Sequence, residues 1–305
     1  MRTLNIVGAG HVGAVFGRVF GASGSFAVQD VLTRSLASAQ AAVAFIGSGR
    51  AVDTYAALRR ADVYLLAVGD DQVEPACQAL AQARPLAGAI VFHCSGALPA
   101  AQLDAAVQAG AFVASVHPIR SFADPAAVAA DFAGTFCGVE GDAAALAVLN
   151  PALAASGARA VGIDAAAKTV YHAASVFASN YLVTVLDVAL RAYEAAGIPQ
   201  HIARELAQPL VMETVANVFR LGPAAALSGP IARGDLATVA RQQHAVAAWD
   251  GAAGALYQAL VAPTSELARR KHAPSSATLL PLAGAGSGEQ GAGSRDKEEG
   301  SNGCR

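Results

Sequence analysis

Charge is what this chain has least of. Only 14% of its 305 residues are Asp, Glu, Lys or Arg, against 54% hydrophobic, so much of the surface must be built from Ala and Gly. Its 21 basic and 23 acidic residues leave a net charge of −2, which offers no electrostatic footprint for nucleic acid. Cysteine is scarce too: Cys77, Cys94, Cys137 and Cys304 are scattered at spacings that fit neither a metal site nor a disulfide framework. No leader pattern is seen, because Arg2 runs straight into a Gly-punctuated strand without a continuous apolar stretch or a cleavage signature. Mean hydropathy is positive. Yet the most apolar run, Ala173 to Leu190, carries Asn180 and Asp187, which a lipid-facing span tolerates poorly. The expectation is a cytoplasmic protein with no membrane segment, metal or nucleic-acid partner. Its length suits one large or two modest domains.

What is present is punctuation by glycine. Residues 3–8 read as a short buried strand, followed at once by Gly8-Ala9-Gly10-His11-Val12-Gly13 and a helix. Strand, tight turn and helix in that order are the setting of the dinucleotide-binding fingerprint. Gly8 permits the turn, Gly10 lets a pyrophosphate approach the backbone, and Gly13 lets the helix pack close. The helix N-terminus supplies amide donors for the anion. The alternative is a Gly-rich strand–helix turn with no ligand. The second strand, about Ala27 to Thr33, ends where an NAD enzyme places an acid against the ribose. Here Thr33-Arg34-Ser35 offers a guanidinium and two hydroxyls, which suit a 2′-phosphate and so NADP(H). Otherwise Arg34 is a surface arginine and Ser35 an ordinary N-cap. Asp30 lies too early in the strand to reach a ribose.

An α/β alternation continues. A strand over 61–68 ends at Gly69-Asp70-Asp71, with Val68 and Gly69 expected on the cofactor and an Asp expected to cap a helix from Gln72. A strand over 89–93 delivers His93, Ser95 and Gly96 towards a nicotinamide, although Ser95 also reads as a turn hydroxyl. Pro99 opens a helix through Ala109. A strand over 112–116 delivers His117, either a structural corner or a substrate contact, and Arg120, either a carboxylate ligand or a surface residue. Strands over 135–139 and 159–162, with a helix over 143–156 between them, close a first domain at 162.

The next stretch, residues 165–196, has no Pro or Gly and reads as one long helix. Lys168, His172, Ser175 and Ser179 fall in one narrow arc of it, a polar stripe that suits either a solvated face or the wall of an active site. Gly197-Ile198-Pro199 stops it. Helices follow over 200–221, 236–261 and 265–271, with the turn Leu227 to Asp235 between the first two. That turn is either a functional loop or a hairpin with an Arg233–Asp235 ion pair. From Ala273 the composition collapses into Ser, Gly, Pro, Ala and charges, as in a disordered tail.

Taken in order, GAGHVG, Thr33-Arg34-Ser35, AVGDDQV, HCSGAL, SVHPIRSF, YHAASVFASNYL and GPIARGD resemble a two-domain oxidoreductase family that joins a Rossmann-like domain to a C-terminal domain of unknown function. That family is similar to 6-phosphogluconate dehydrogenase, ketopantoate reductase, 3-hydroxyisobutyrate dehydrogenase and pyrroline-5-carboxylate reductase. The resemblance spans about residues 3–272. It implies an α/β Rossmann domain with a doubly wound parallel sheet (1–162), an all-α 6-phosphogluconate dehydrogenase C-terminal-like domain for substrate and dimerisation (163–272), and a tail (273–305). In the better-known dehydrogenases of the group a Lys begins the first helix after the Rossmann domain, with Asn four residues later. Lys168 matches the Lys, while His172 stands at the Asn position.

The reaction so implied is NADP(H)-dependent reduction of a small 2-oxo acid or related carbonyl, ketopantoate being the named candidate. Lys168 would donate the proton and His172 would hold the carbonyl or tune the lysine. Ser95, Gly96, His117, Ser175, Asn180 and Arg233 would contact substrate. Gly8, Ala9, Gly10, His11, Val12, Gly13, Thr33, Arg34, Ser35, Val68 and Gly69 would hold the cofactor. A 3-hydroxy acid dehydrogenase, an imine reductase and a non-catalytic NADP sensor are the rival readings. The apolar helical domain suggests a homodimer, with GPIARGD reaching a neighbour's cleft.

Overall fold

The computed structural model describes residues 1–272; the expected disordered tail, 273–305, and Cys304 lie outside the described residues. Two compact units divide the chain, Met1–Arg191 and the part from Ala192 onward.

The first unit begins with strand β1 (Arg2–Val7), helix α1 (His11–Ala22), β2 (Phe26–Leu32), α2 (Leu36–Ile46), β3 (Arg50–Val52) and β4 (Val63–Leu66). It continues through α3 (Val73–Ala83), β5 (Ile90–His93), α4 (Asp104–Gln108), β6 (Phe112–Pro118), α5 (Pro125–Ala130), β7 (Phe136–Gly141), α6 (Ala143–Ala155) and β8 (Arg159–Gly162). Helix α7 (Lys168–Val176), a π-helical turn over Phe177–Tyr181 and α8 (Leu182–Ala195) complete the long helical stretch. The strands form one eight-stranded sheet in the order β3-β2-β1-β4-β5-β6-β7-β8. The runs VYLL of β4 and IVFH of β5 are buried throughout, as strands covered on both faces must be. One face carries Phe16, Phe20 and Phe132 in ring contact; the other carries Tyr64, Leu66, Leu80 and Leu103.

Several expectations need correction. Every strand pair is parallel except β6–β7, which is antiparallel and follows a connection holding only the six-residue α5, too short for a crossover on the usual pattern. Strand β3 has three residues and no hydrophobic pattern to announce it. The helix expected over 99–109 is a 3₁₀ turn followed by the five-residue α4. Neither Asp70 nor Asp71 caps α3; they open a 3₁₀ turn, where Asp71 accepts from Gln72 Nε2 at 2.9 Å. Asp30 is fully buried and paired with Arg50 and Arg59, at 2.9 and 2.8 Å, well away from any ribose role. Burial raises its pKa, but the hydrogen bonds from Arg59 and Arg50 outweigh that and hold the carboxyl below the usual range.

The second unit contains α9 (Gln200–Leu221), α10 (Pro223–Ala226), α11 (Leu236–Trp249) and α12 (Gly251–His272). The break falls at Asp250, whose carboxylate accepts from the amides of Ala252 and Ala253 at 2.9 and 3.0 Å; Pro263 is carried inside α12. The domain boundary read at 162 lies upstream of the division between the units, because α7 packs on β6 and β7 through the contacts described below.

Candidate active site

The glycine turn between β1 and α1 is built as its sequence requires. Gly8 has φ +82°, and a Cβ there would stand 2.6 Å from the Ala67 carbonyl oxygen and 2.7 Å from Val68 Cγ1. A Cβ on Gly13 would strike the Gly8 carbonyl and stand 2.8 Å from Ala67 Cβ, so the helix lies on the turn itself. Gly10 is different: a Cβ there meets nothing within 4 Å. Its open side faces a cavity of about 430 Å³, which Gly10, His11 and Val12 line from the start of α1. No side chain caps α1, so its first amides are left for a ligand. Ala67, Val68, Gly69 and Asp70, after β4, line the same cavity, which therefore sits at the carboxyl ends of the parallel strands.

At the end of β2, Ser35 caps α2, its Oγ accepting from the Ser38 amide at 3.2 Å. The Ser38 hydroxyl lies 2.8 Å from both Thr33 Oγ1 and Ser35 Oγ, so three hydroxyls cluster beside the exposed Arg34. Ser38 was not among the sequence candidates. These residues do not line the 430 Å³ cavity.

The antiparallel β6–β7 ribbon positions the other wall. Its register sets Ser115 opposite Glu140 and His117 opposite Gly138, alternate positions on one face. Lys168 and Tyr171, three apart on α7, sit over these two pairs. The Lys168 ammonium donates to the Ser95 carbonyl at 3.1 Å and to Ser115 Oγ, and lies 3.7 Å from Glu140 Oε1. Glu140 accepts from the Ala100 amide at 2.6 Å. Tyr171 occupies the space a side chain at 138 would need, its Cζ 2.8 Å from where that Cβ would lie. Its hydroxyl is 2.8 Å from His117 Nδ1.

This corrects the expected place of Lys168. It is 2% exposed and does not line the cavity; its amino group is enclosed one layer behind, among the Ser95 carbonyl, Ser115 and Glu140. Burial lowers its pKa, opposed by the charge of Glu140. The polar stripe also runs into the π-helical turn, where Ser179 is exposed, as is Asn180, the separate substrate candidate.

His172 and His117 do line the cavity, both beside Gly96. Their rings lie 5.3 Å apart at 80°. A Cβ on Gly96 would strike His172 Nδ1 and stand 2.9 Å from His117 Nε2. His172 Nδ1 is buried without a hydrogen-bond partner. Burial, helped by the nearby charges of His172 and Lys168, pushes the His117 pKa down to about 4. Burial pushes the Tyr171 phenol up to about 12. Cys94, also in the wall, is pushed up by burial and stays a thiol.

The remaining candidates divide. Ser95 lines the cavity, but its hydroxyl accepts from the amides of Ala97 and Leu98 at 3.2 and 3.0 Å, as a turn hydroxyl does. Ser175 and Asn180 do not line it. Arg233 stands exposed in the second unit and makes no ion pair with Asp235, which instead caps α11 through the Thr238 amide. Arg120 is the permanent cation among the described residues of the wall; it pairs with Asp131 at 3.0 Å. His93 is fully buried, accepting from the Ser95 amide at 3.1 Å and lying 3.1 Å from the Pro99 carbonyl, so it shapes the loop rather than the cavity. Sequence reading missed Tyr171, Ser115 and Glu140. An acid within the apolar strand FCGVEG was the one available signal.

Residues 2–118 match the family model of a Rossmann-like domain, and residues 135–264 match that of a domain of unknown function, DUF2520. The chain thus joins a Rossmann-like domain to a DUF2520 domain. The second match begins at the antiparallel β7, so the last two strands of the sheet fall within it. Among solved structures, protein TM1727 of Thermotoga maritima is 24% identical with a TM-score of 0.67, covering 88% of this chain and 99% of its own. An imine reductase of Myxococcus stipitatus in complex with NADP+ is 19% identical, TM-score 0.60, covering 88% and 93%. Pyrroline carboxylate reductase of Plasmodium falciparum with NADP bound is 12% identical, TM-score 0.57, covering 88% and 98%. At these identities the likeness is one of fold. No curated protein matches the sequence.

Proposed function

We propose that this chain is an NADP(H)-dependent oxidoreductase acting on a small carbonyl or imine compound. The observation that carries the reading is the juxtaposition, in one cavity, of the open side of Gly10 with two facing imidazoles at Gly96. Gly8, Gly10 and the uncapped amides of α1 fit a dinucleotide diphosphate. Arg34, with Thr33, Ser35 and Ser38, fits a 2′-phosphate. When bound there, the nicotinamide supplies or accepts the hydride.

The chain's own residues hold the substrate and manage the proton. His172 holds the reacting heteroatom over Gly96. Lys168 acts from behind, fixing the Ser95 carbonyl and so the backbone that leads into Gly96; it is a positioning residue rather than the proton donor. Arg120 is the cation available for a substrate carboxylate, which favours a 2-oxo acid such as ketopantoate or a cyclic imino acid over a neutral ketone. The imine reading has specific support in two fold neighbours, an imine reductase and a pyrroline carboxylate reductase. NADPH oxidation followed against both compound classes separates the two readings. Tight NADPH binding with no turnover on either would leave only a cofactor sensor.

We also propose a homodimer. The helical stretch 165–195 is long and apolar enough to cross a membrane, with a mean hydropathy of 1.5 over its most apolar window. Yet Lys168 and Tyr171 pin its start to the sheet, and Asp187 pairs with Arg191 at 2.9 Å farther along. Val170, Phe177 and Val183 are exposed on it, as are Met212 and Phe219 on α9. A second copy of the chain covering these faces accounts for them. Light scattering tests this, and complementation between inactive mutants tests whether GPIARGD and Arg233 serve a neighbour's cavity.

A further inference from the structure

Resting on the oxidoreductase reading, we infer that Tyr171 fixes the tautomer of His117, so that His117 Nε2–H and the free His172 Nδ1 form a donor–acceptor pair that grips one substrate heteroatom above Gly96. The phenol keeps its proton at neutral pH, and among the described residues its hydroxyl has one hydrogen-bond partner, His117 Nδ1 at 2.8 Å. Its O–H therefore donates to Nδ1, which places the imidazole proton on Nε2. Nε2 and its neighbour Cε1 are the ring atoms beside Gly96, each 2.9 Å from the position a Cβ would take. Against the same Cβ position stands His172 Nδ1, buried in the cavity wall and unpartnered. A buried polar atom without a partner is costly, and a ligand hydroxyl satisfies it. Gly96 is what leaves the room: any side chain there fills the space between the imidazoles.

The pair gives the two histidines different work. His117, neutral at pH 7, donates a hydrogen bond to oxygen or nitrogen as negative charge develops on it; it does not give up its proton. His172 exchanges the proton. In the oxidative direction the substrate hydroxyl proton would pass to His172 Nδ1 and the O–H bonding pair would become the second C–O bond, a bound NADP+ being the acceptor of the hydride that carbon loses. In reduction the imidazolium of His172 would return the proton to the heteroatom, with bound NADPH as the hydride source, so atoms and charge balance in both directions. Tyr171 touches none of the reacting atoms and is a positioning residue.

Nitrogen-15 NMR of the imidazoles in the full-length protein tests this without turnover. His117 should show a protonated Nε2 and a bare Nδ1 at pH 7, and Tyr171→Phe, which keeps the ring against Gly138, should turn that signal into a tautomer mixture. With a working substrate, Tyr171→Phe should lower kcat about tenfold or more while the NADPH Kd stays unchanged, and His172→Asn should lower kcat about a hundredfold or more. A proton on His117 Nδ1 in the wild type overturns the inference, as does wild-type kcat in Tyr171→Phe. Failure of every carbonyl and imine to oxidise NADPH instead removes the oxidoreductase reading, and the tautomer result still stands or falls by itself.

Discussion

A methyl group placed on Gly10 separates the cofactor's needs from those of the fold. Gly10 has φ −68°, a conformation open to any L-residue, and its Cβ would meet nothing within 4 Å. Gly10→Ala should therefore fold with unchanged or slightly raised stability, since replacing a glycine in an allowed conformation stabilises by about 0.4–1 kcal/mol. The methyl would, however, occupy the approach that a diphosphate makes to the first amides of α1. Losing one or two hydrogen bonds to a charged group, at about 1.5–3 kcal/mol each, raises the NADPH Kd at least about tenfold, and a hundredfold at the upper end of one such bond. Gly13→Ala is the contrast. Its Cβ would strike the Gly8 carbonyl and stand 2.8 Å from Ala67 Cβ, so that variant should lose about 1–3 kcal/mol of stability by overpacking. NADPH fluorescence titration beside thermal melting reads both effects. Wild-type affinity in Gly10→Ala, or a lowered melting temperature, refutes the reasoning.

Other outcomes follow from the same geometry. Arg34→Ala should weaken NADPH binding and leave NADH binding nearly unchanged, as competitive titration would show; equal losses would deny it the 2′-phosphate. Lys168→Ala should cost about 3–5 kcal/mol of stability by urea denaturation, because it strands the buried Glu140 carboxylate. His93 and His117 are each pushed from 6.5 to about 4, so the unfolded chain binds the extra protons. Stability is then full above pH 6.5 and falls as pH drops towards 4, by up to about 3 kcal/mol for each residue. Urea midpoints at pH 7.5 and 5 check this, and His93→Asn should flatten the dependence.

The glycine turn was legible because its demands are local: Gly8 and Gly13 are dictated by backbone approach within one strand–turn–helix unit. The buried strands β4 and β5 announced themselves by unbroken apolar runs. The direction of β7 did not, since a short apolar strand reads alike whether its neighbour runs parallel or antiparallel. Lys168 was noticed as a cation on an apolar helix, but what encloses it, Ser115 and Glu140, lies 53 and 28 positions earlier and meets it only through strand pairing. Tyr171 was not singled out for the same reason, its partner His117 lying 54 positions earlier. The π-helical turn left no mark in the hydrophobic period, so Ser179 was counted with the stripe of Lys168, His172 and Ser175.

The central claim is that hydride passes between NADP(H) and a small carbonyl or imine held between His117 and His172. The direct measurement is NADPH oxidation by the wild-type protein and by Gly96→Ala, across 2-oxo acids including ketopantoate and cyclic imines. The account predicts turnover on at least one class, lost by about a hundredfold or more in Gly96→Ala while NADPH still binds. Full turnover with a methyl wedged between the imidazoles, or no turnover by the wild type on any compound, would contradict it.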